Sequence, residues 1–309
     1  IFNPEWPGVI EGFAAYLHTT PSLSPFAFVG NKLLMTTISM KPEILRRYSA
    51  HMGRSPGCKK AGMCFGDKPW FGQIQLAGGK SNTRQWKNKV DPGSVTPPPY
   101  FPDNALFRKW HAHHYDTIRQ TDADTRKIMD NLREDGLLNN TIIFWFTDHG
   151  NNHSVRAKQF CTEAGTHVPL IILGPDERIK PGTTRRELTS TLDISATSLA
   201  RAGIKIPDYF DGTDLFSRDH QPREYVISAR DRCDYTIDYI RSVRTDRFRY
   251  IRNFLTDRPL LQPQYRDNRD YVQFLRKGHA DENGGEGALV ADGDGRFLVM
   301  GALAYPFAP

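Results

Sequence analysis

Two short runs that are apolar almost throughout, Thr141 to Phe146 and Val168 to Leu173, constrain the fold more than any other feature. Each is about six residues long and rich in Ile, Phe and Val, which is strand length rather than helix length. Neither alternates polar with apolar side chains, so each strand is expected to be covered on both faces. Parallel sheets layered between helices meet that condition. The first run gives way to Asp148-His149-Gly150, and the second closes on Gly174-Pro175. The polar loop between them carries Arg156 and Lys158. The expected class is α/β, with a mostly parallel central sheet flanked by helices. In open sheets of this class, ligands sit just beyond the carboxyl ends of the strands.

The neighbouring segments fit this frame. Residues 104 to 134 read as a long helix, with Leu106, Trp110, Tyr115, Ile118, Ile128, Met129 and Leu132 largely on one stripe. Asp135-Gly136 should end it, with the glycine as a left-handed cap. On that helix His111 and His114 share a face and His113 points elsewhere, which favours packing over a metal site. Leu188 to Ala202 reads as a second helix, and Asp193 within it as structural. Ser24 to Gly30 reads as a short buried strand. Residues 51 to 99 form a long insertion rich in Gly, Pro and Lys, without periodicity. Glu224 to Ser228, Tyr239 to Arg244 and Phe248 to Asn253 alternate like strands of a small antiparallel sheet. These readings divide the chain into an α/β domain over residues 1–218 and a smaller C-terminal subdomain over 219–309. The Gly- and Asp-rich tail beyond Asp281 gives no clear pattern.

The chemistry concentrates in the loop. Asp148, a carboxylate at a strand end, is a hard oxygen donor suited to Ca²⁺ or Mg²⁺. The imidazole of His149 suits Mn²⁺ or Zn²⁺ better, or can hydrogen-bond a substrate oxygen. Lys158 is a mobile point charge able to follow an anion into a transition state. Arg156 either adds to it or pairs with Glu163. His167, just before Val168-Pro169, either orients the loop by hydrogen bonds or packs. Metal plus anion is the chemistry of sulfate or phosphate ester hydrolysis.

Composition narrows the partners. With 309 residues, 39% of them hydrophobic, the chain can bury a sizeable core. Its net charge of +6 favours an anionic small molecule or polyanion. Aromatic and basic residues are not interleaved as in nucleic-acid binders. No apolar stretch reaches the ~18 residues of a membrane span. Four cysteines are too few for a disulfide scaffold. Cys58 and Cys64 could close one local disulfide or stay as free thiols. Oligomeric state is not legible.

Three passages together resemble the sulfatase family, within the alkaline phosphatase superfamily. One is Tyr100-Phe101-Pro102-Asp103 with the helix after it, ending in a Gly turn and an Asn-Thr strand entry. Another is the Asp148-His149-Gly150 segment, and the third is Leu188 to Gly203. The resemblance covers roughly residues 97 to 255. It implies sulfate-ester hydrolysis, expected on a sulfated carbohydrate. Phosphodiester or phosphonate hydrolysis, and non-catalytic binding of sulfated ligands, are the alternatives. It implies a divalent metal, Ca²⁺ before Mn²⁺, held by Asp148 and His149. Lys158 and His149 take the catalytic roles, and Lys158, Arg156 and His167 the substrate contacts. Family analogy also implies a periplasmic or secreted protein.

The departures are specific. The family nucleophile is a Cys or Ser in a Cys/Ser-x-Pro/Ala-x-Arg motif, matured to formylglycine. None of Cys58, Cys64, Cys161 and Cys233 lies in that pattern, nor does any Ser. The family's amino-terminal metal aspartate pair is not found either. Where the family carries a substrate-contacting His, the stretch Asn31 to Met40 has Lys32 and no His, and Ala157 replaces a His found between Arg and Lys in close relatives. The chain opens on Ile1, and the expectation is a piece lacking its amino-terminal third, with a diverged, inactive member as the other account.

Overall fold

A computed structural model describes residues 70–256 and 263–280, except 82, 84, 85 and 234, together with the strands at 32–37, 289–291 and 297–299. Ser24 to Gly30 and the Cys58–Cys64 pair lie outside the described residues. Four strands form the main sheet: β1 (Lys32–Thr37), β2 (Trp70–Gln75), β3 (Thr141–Phe146) and β4 (Leu170–Leu173). Their order is β2-β1-β3-β4. Strand β1 lies within the Asn31 to Met40 stretch, and β2 lies inside the insertion read as lacking periodicity.

Every pairing in this sheet is antiparallel, which corrects the expectation of a mostly parallel sheet. Two-sided burial was legible in the sequence, whereas strand direction was not. Ile143 and Trp145 of β3 pack with Ile128 and Leu132 of helix α1 (Ala105–Glu134). Ile142, Phe144 and Phe146 pack with Ile194 of another helix, α3 (Leu192–Arg201). A strand between two helical layers must be apolar on both faces whichever way its neighbours run. The α/β layering therefore stands. Strand β4 starts later than the apolar run because Pro169 has no N–H to give to a ladder.

Helix α1 forms as its sequence dictates. Asn104 caps it, its side chain accepting from the Phe107 N–H at 3.1 Å. At the other end Gly136 takes φ +70°, with Gly136 N–H to Arg133 O at 3.0 Å and Leu137 N–H to Leu132 O at 2.8 Å. This is a Schellman ending, and Leu137 returns to the core beside Leu132. The segment before α1 is strapped onto it. Trp86 Nε1 donates to Gln120 at 2.6 Å, and Val90 N–H donates to the buried Asp116 at 3.1 Å. Helix α3 starts at Leu192 rather than Leu188, because Leu188 pairs with Arg223 in a β-bridge.

Strands β5 (Val226–Cys233), β6 (Thr236–Arg244) and β7 (Arg249–Asn253) form an antiparallel sheet in sequence order. After them α4 (Asp270–Ala280) sends Tyr271, Val272 and Leu275 into a cluster with Phe101, Phe107 and Val155. The tail adds an antiparallel pair, β8 (Leu289–Ala291) and β9 (Phe297–Val299). Among the described residues no helix is long and apolar enough to cross a membrane.

Candidate functional site

The site begins where β3 ends. Asp148 follows within two residues and is buried, 5% exposed. His149 Nε2 lies 3.2 Å from Asp148 Oδ2, while His149 Nδ1 lies 2.7 Å from the Gly150 carbonyl. A carbonyl only accepts, so Nδ1 carries the proton. In the neutral ring Nε2 then turns a lone pair toward the carboxylate. Two lone pairs at that distance call for a proton or a cation between them. Burial raises the Asp148 pKa, against the opposing pull of His149 and Lys158. Burial likewise lowers that of His149, outweighing the Gly150 carbonyl and the Asp148 charge, with Lys158 and Arg266 lowering it further.

Gly150 is demanded by packing. A Cβ there would lie 1.7 Å from the Ala164 carbonyl oxygen, and Gly150 N–H donates to Gly165 O at 3.1 Å. Gly165 belongs to the short helix α2 (Glu163–Thr166), and a Cβ on it would strike the Phe160 and Ala157 carbonyls. Two glycines thus let the chain leaving β3 lie backbone-to-backbone against α2.

The loop bearing Lys158 is held from the C-terminal part of the chain. Arg266 is 1% exposed. It donates to the carbonyls of Asn152 at 3.1 Å, Ser154 at 2.8 Å and Lys158 at 3.4 Å, and to Gln159 Oε1 at 3.1 Å. The Lys158 ammonium lies 5.0 Å from the centre of the Tyr265 ring, and the Tyr265 hydroxyl donates to Asn152 at 2.8 Å. Neither residue stood out in the sequence. Tyr265 and Arg266 sit in an irregular stretch more than a hundred residues from the loop, and Arg266 has Asp267 and Asp270 close by in sequence, so nothing local set it apart.

The remaining candidates are placed as follows. Arg156 does not pair with Glu163; its guanidinium lies over the Tyr100 ring at 4.9 Å. Glu163 instead takes Arg249, at 3.0 and 2.9 Å, and Arg244 at 3.4 Å. His167 Nδ1 approaches the same carboxylate at 3.3 Å, so this histidine is tied to α2 by a polar contact. Burial raises the Glu163 pKa, but His167 and Arg249 outweigh it and hold the group at about 2. Asp193 is structural, accepting from Arg223, Ser190 N–H and Thr213 N–H.

The helix histidines pack. His111 Nδ1 bonds the Phe107 carbonyl at 2.9 Å. His113 meets His153 of the loop with ring centres 4.8 Å apart, and His153 stacks on Trp110 at 5.1 Å. Burial drives His114 down to about 3 and His153 to about 4. Cys161 is a buried free thiol.

The donor chemistry of Asp148 and His149, a hard oxygen beside an imidazole lone pair, fits part of a divalent-cation shell. Two donors fall short of the about six to eight that Ca²⁺ takes. Among the described residues no group of three or more His, Cys, Asp or Glu side chains is placed to hold a metal. The pair would therefore need further ligands.

Known proteins match the same part of the chain. The Sulfatase family model matches residues 68–204. An ulvan-active sulfatase of Formosa agariphila is 33% identical over 180 residues, covering 58% of this chain and 30% of that protein. Arylsulfatase K of Bos taurus is 36% identical over 107 residues, 34% of this chain and 19% of the relative. Among solved structures, BT4656 in complex with its substrate D-glucosamine-2-N,6-O-disulfate is 23% identical, with a TM-score of 0.42 over 52% of this chain and 35% of that one. The chain thus spans a third or less of the length of these curated relatives. The match takes in α1, the Asp148–Lys158 loop and α3, the elements that build the site, and over residues 68–204 the chain resembles the sulfatase family.

Proposed function

We propose that the chain serves hydrolysis of sulfate esters on a carbohydrate, and that it contributes the electrostatic half of the active site. The carrying observation is the buried Asp148–His149 pair, with a lone pair facing a carboxylate at 3.2 Å and the Lys158 charge acting on both. Asp148 and His149 would hold a divalent cation, Ca²⁺ or Mn²⁺. When bound, such a cation polarises a sulfate oxygen. Lys158 holds the sulfuryl oxygens, with Arg156 and His167 as further substrate contacts. His149 has one free lone pair, at Nε2, because its Nδ1–H is anchored on the Gly150 carbonyl; it holds the cation there or, where Asp148 binds the cation without it, meets a substrate oxygen instead. The likeness to an ulvan-active sulfatase supports a saccharide substrate. In this reading residues 1–218 carry the site, and 219–309 form a subdomain that buttresses it through Arg249 and Arg266.

No Cys or Ser of the 309 residues lies in the family's nucleophile motif, so these residues account for binding and charge stabilisation and not for attack on sulfur. The test measures sulfate release from sulfated oligosaccharides, phosphate-diester cleavage, and saccharide binding by calorimetry. Sulfate release abolished by Lys158→Ala supports the proposal. Preferential cleavage of the diester assigns the phosphodiesterase alternative. Tight binding without turnover, lost in Lys158→Ala, assigns the non-catalytic one. Saccharide affinity unchanged by Lys158→Ala, with no sulfate release, sinks all three.

A further inference from the structure

The three-stranded sheet β5-β6-β7 has two unlike faces. The inner one carries Ile240, Ser242 and Asp238, all buried, and turns Arg249 and Arg244 onto Glu163. The outer one is open and rich in aromatic and cationic groups. Strand register sets Ile227, Val243 and Tyr250 in one row across the sheet, with Arg241 beside Arg252 in the next. Ile227 is 62% exposed and Tyr250 66%. Tyr239 and Phe254 follow, their rings stacked with centres 4.4 Å apart. The Arg241 guanidinium lies 4.4 Å from the centre of the Tyr239 ring, and that of Arg252 lies 4.5 Å from the centre of Phe254.

We propose that this outer face is a docking platform for a linear anionic polysaccharide, separate from the Asp148 site. Flat, exposed rings offer apolar surface to the C–H faces of sugars, and a contiguous exposed apolar patch marks an interaction site. The guanidiniums standing over those rings present planar donor forks suited to sulfate or carboxylate groups. Rows about 7 Å apart along each strand, on strands about 4.8 Å apart, give an extended chain repeated contacts. One carboxylate, Asp231, pairs with Arg241 at 2.6 Å and would yield it to the ligand. A second copy is the competing occupant, and sedimentation distinguishes it from a polysaccharide. Binding here requires no turnover at Asp148, so it stands or falls separately from the proposed hydrolysis.

Affinity electrophoresis of the full chain through gels containing dextran sulfate or neutral dextran tests the proposal. Retardation is expected with dextran sulfate alone. Arg241→Gln with Arg252→Gln should weaken it about tenfold. Tyr239→Ser with Tyr250→Ser, which changes no charge, should weaken it several-fold. Lys127→Gln with Lys180→Gln, which removes equal charge elsewhere, and Lys158→Ala should keep most of it. Circular dichroism confirms that each variant is folded, and the arginine pair serves where the tyrosine pair is not. Equal weakening by the lysine pair, retention unchanged by the arginine pair, or loss in Lys158→Ala would each overturn the platform. So would sedimentation showing a wild-type dimer that the tyrosine changes dissolve.

Discussion

Asp193 and Asp148 are both buried aspartates in the matched stretch, 1% and 5% exposed, and they do opposite work. Asp193 meets the Arg223 guanidinium through Nη2 at 2.5 Å and Nε at 3.1 Å, and accepts from Ser190 N–H at 2.7 Å and Thr213 N–H at 2.8 Å. Its partners replace the water it gave up, and it ties α3 to the segment running toward β5. Asp148 faces an imidazole lone pair, and desolvation outweighs the nearby charges to raise its pKa. Asp148 has donors too, the Thr147 hydroxyl at 3.4 Å among them, so the difference lies in charge: a buried carboxylate paired with a guanidinium serves the fold, and one whose charge burial still disfavours is suited to a cation. The contrast makes a ranked set of expectations for stability.

The largest effect belongs to neither aspartate. If the loop around Asp148 is held by Arg266, Arg266→Met leaves the buried carbonyls of Asn152 and Ser154 without their donor and should cost about 4 kcal/mol. Urea unfolding reads the loss, and hydrogen exchange should show it greatest over residues 151–159. A cost under about 1 kcal/mol would mean that the loop holds itself, and would remove the reason why Asp148 can stay buried with its charge disfavoured.

Next comes the clamp. Asp193→Ala strands the Arg223 guanidinium and frees two backbone donors, for an expected loss of about 3 kcal/mol. Asp193→Asn should recover part of it by keeping the hydrogen bonds. Equal losses for the two variants in denaturant titrations would place the charge, rather than the donor geometry, at the centre of the clamp.

Acid tests the site's other wall, where His153 stacks on Trp110 and meets His113. Burial holds His153 at about 4 in the folded chain, below its unfolded value of 6.5. The unfolded state then binds more protons between those values, so stability is full above about pH 6.5 and falls as pH drops toward 4. Between pH 7.5 and 5 this residue should remove about 2 kcal/mol, with His114, held at about 3, adding in the same direction. Thermal unfolding across that range should show the fall, and His153→Asn should shrink it. A flat profile would break the claim that the histidines sit neutral in the wall.

How much of this the sequence revealed follows from the range of each interaction. The C-terminal boundary of α1 was legible because Asp135 and Gly136 act within a few residues of themselves. The two-sided burial of β3 was legible because it is written in every residue of the strand. Strand direction was not, because it depends on partners such as β1, whose pairing with β3 spans about a hundred residues. Asp148 and His149 could be singled out by their place at a strand end. Arg266 and Arg249 could not, because what makes each matter is a carbonyl or carboxylate brought to it by folding. The pairing of Arg156 with Glu163 failed for the same reason, since β7 supplies a closer guanidinium.

The smallest stability effects should fall on the two residues that carry the site, and they sharpen the contrast most. Asp148→Asn keeps the shape and removes a charge that burial disfavours, so the fold should lose less than about 1 kcal/mol, or gain. Lys158→Ala gives up its place over the Tyr265 ring, for about 0.5 kcal/mol. Added Ca²⁺ or Mn²⁺ should raise the wild-type melting temperature if it binds the folded pair. Asp148→Asn should erase that rise, and Lys158→Ala should preserve it, because an ammonium near the pair opposes a cation instead of holding one. A metal-induced rise that survives Asp148→Asn would place the cation elsewhere, and a loss of about 3 kcal/mol in that variant would make Asp148 a second Asp193.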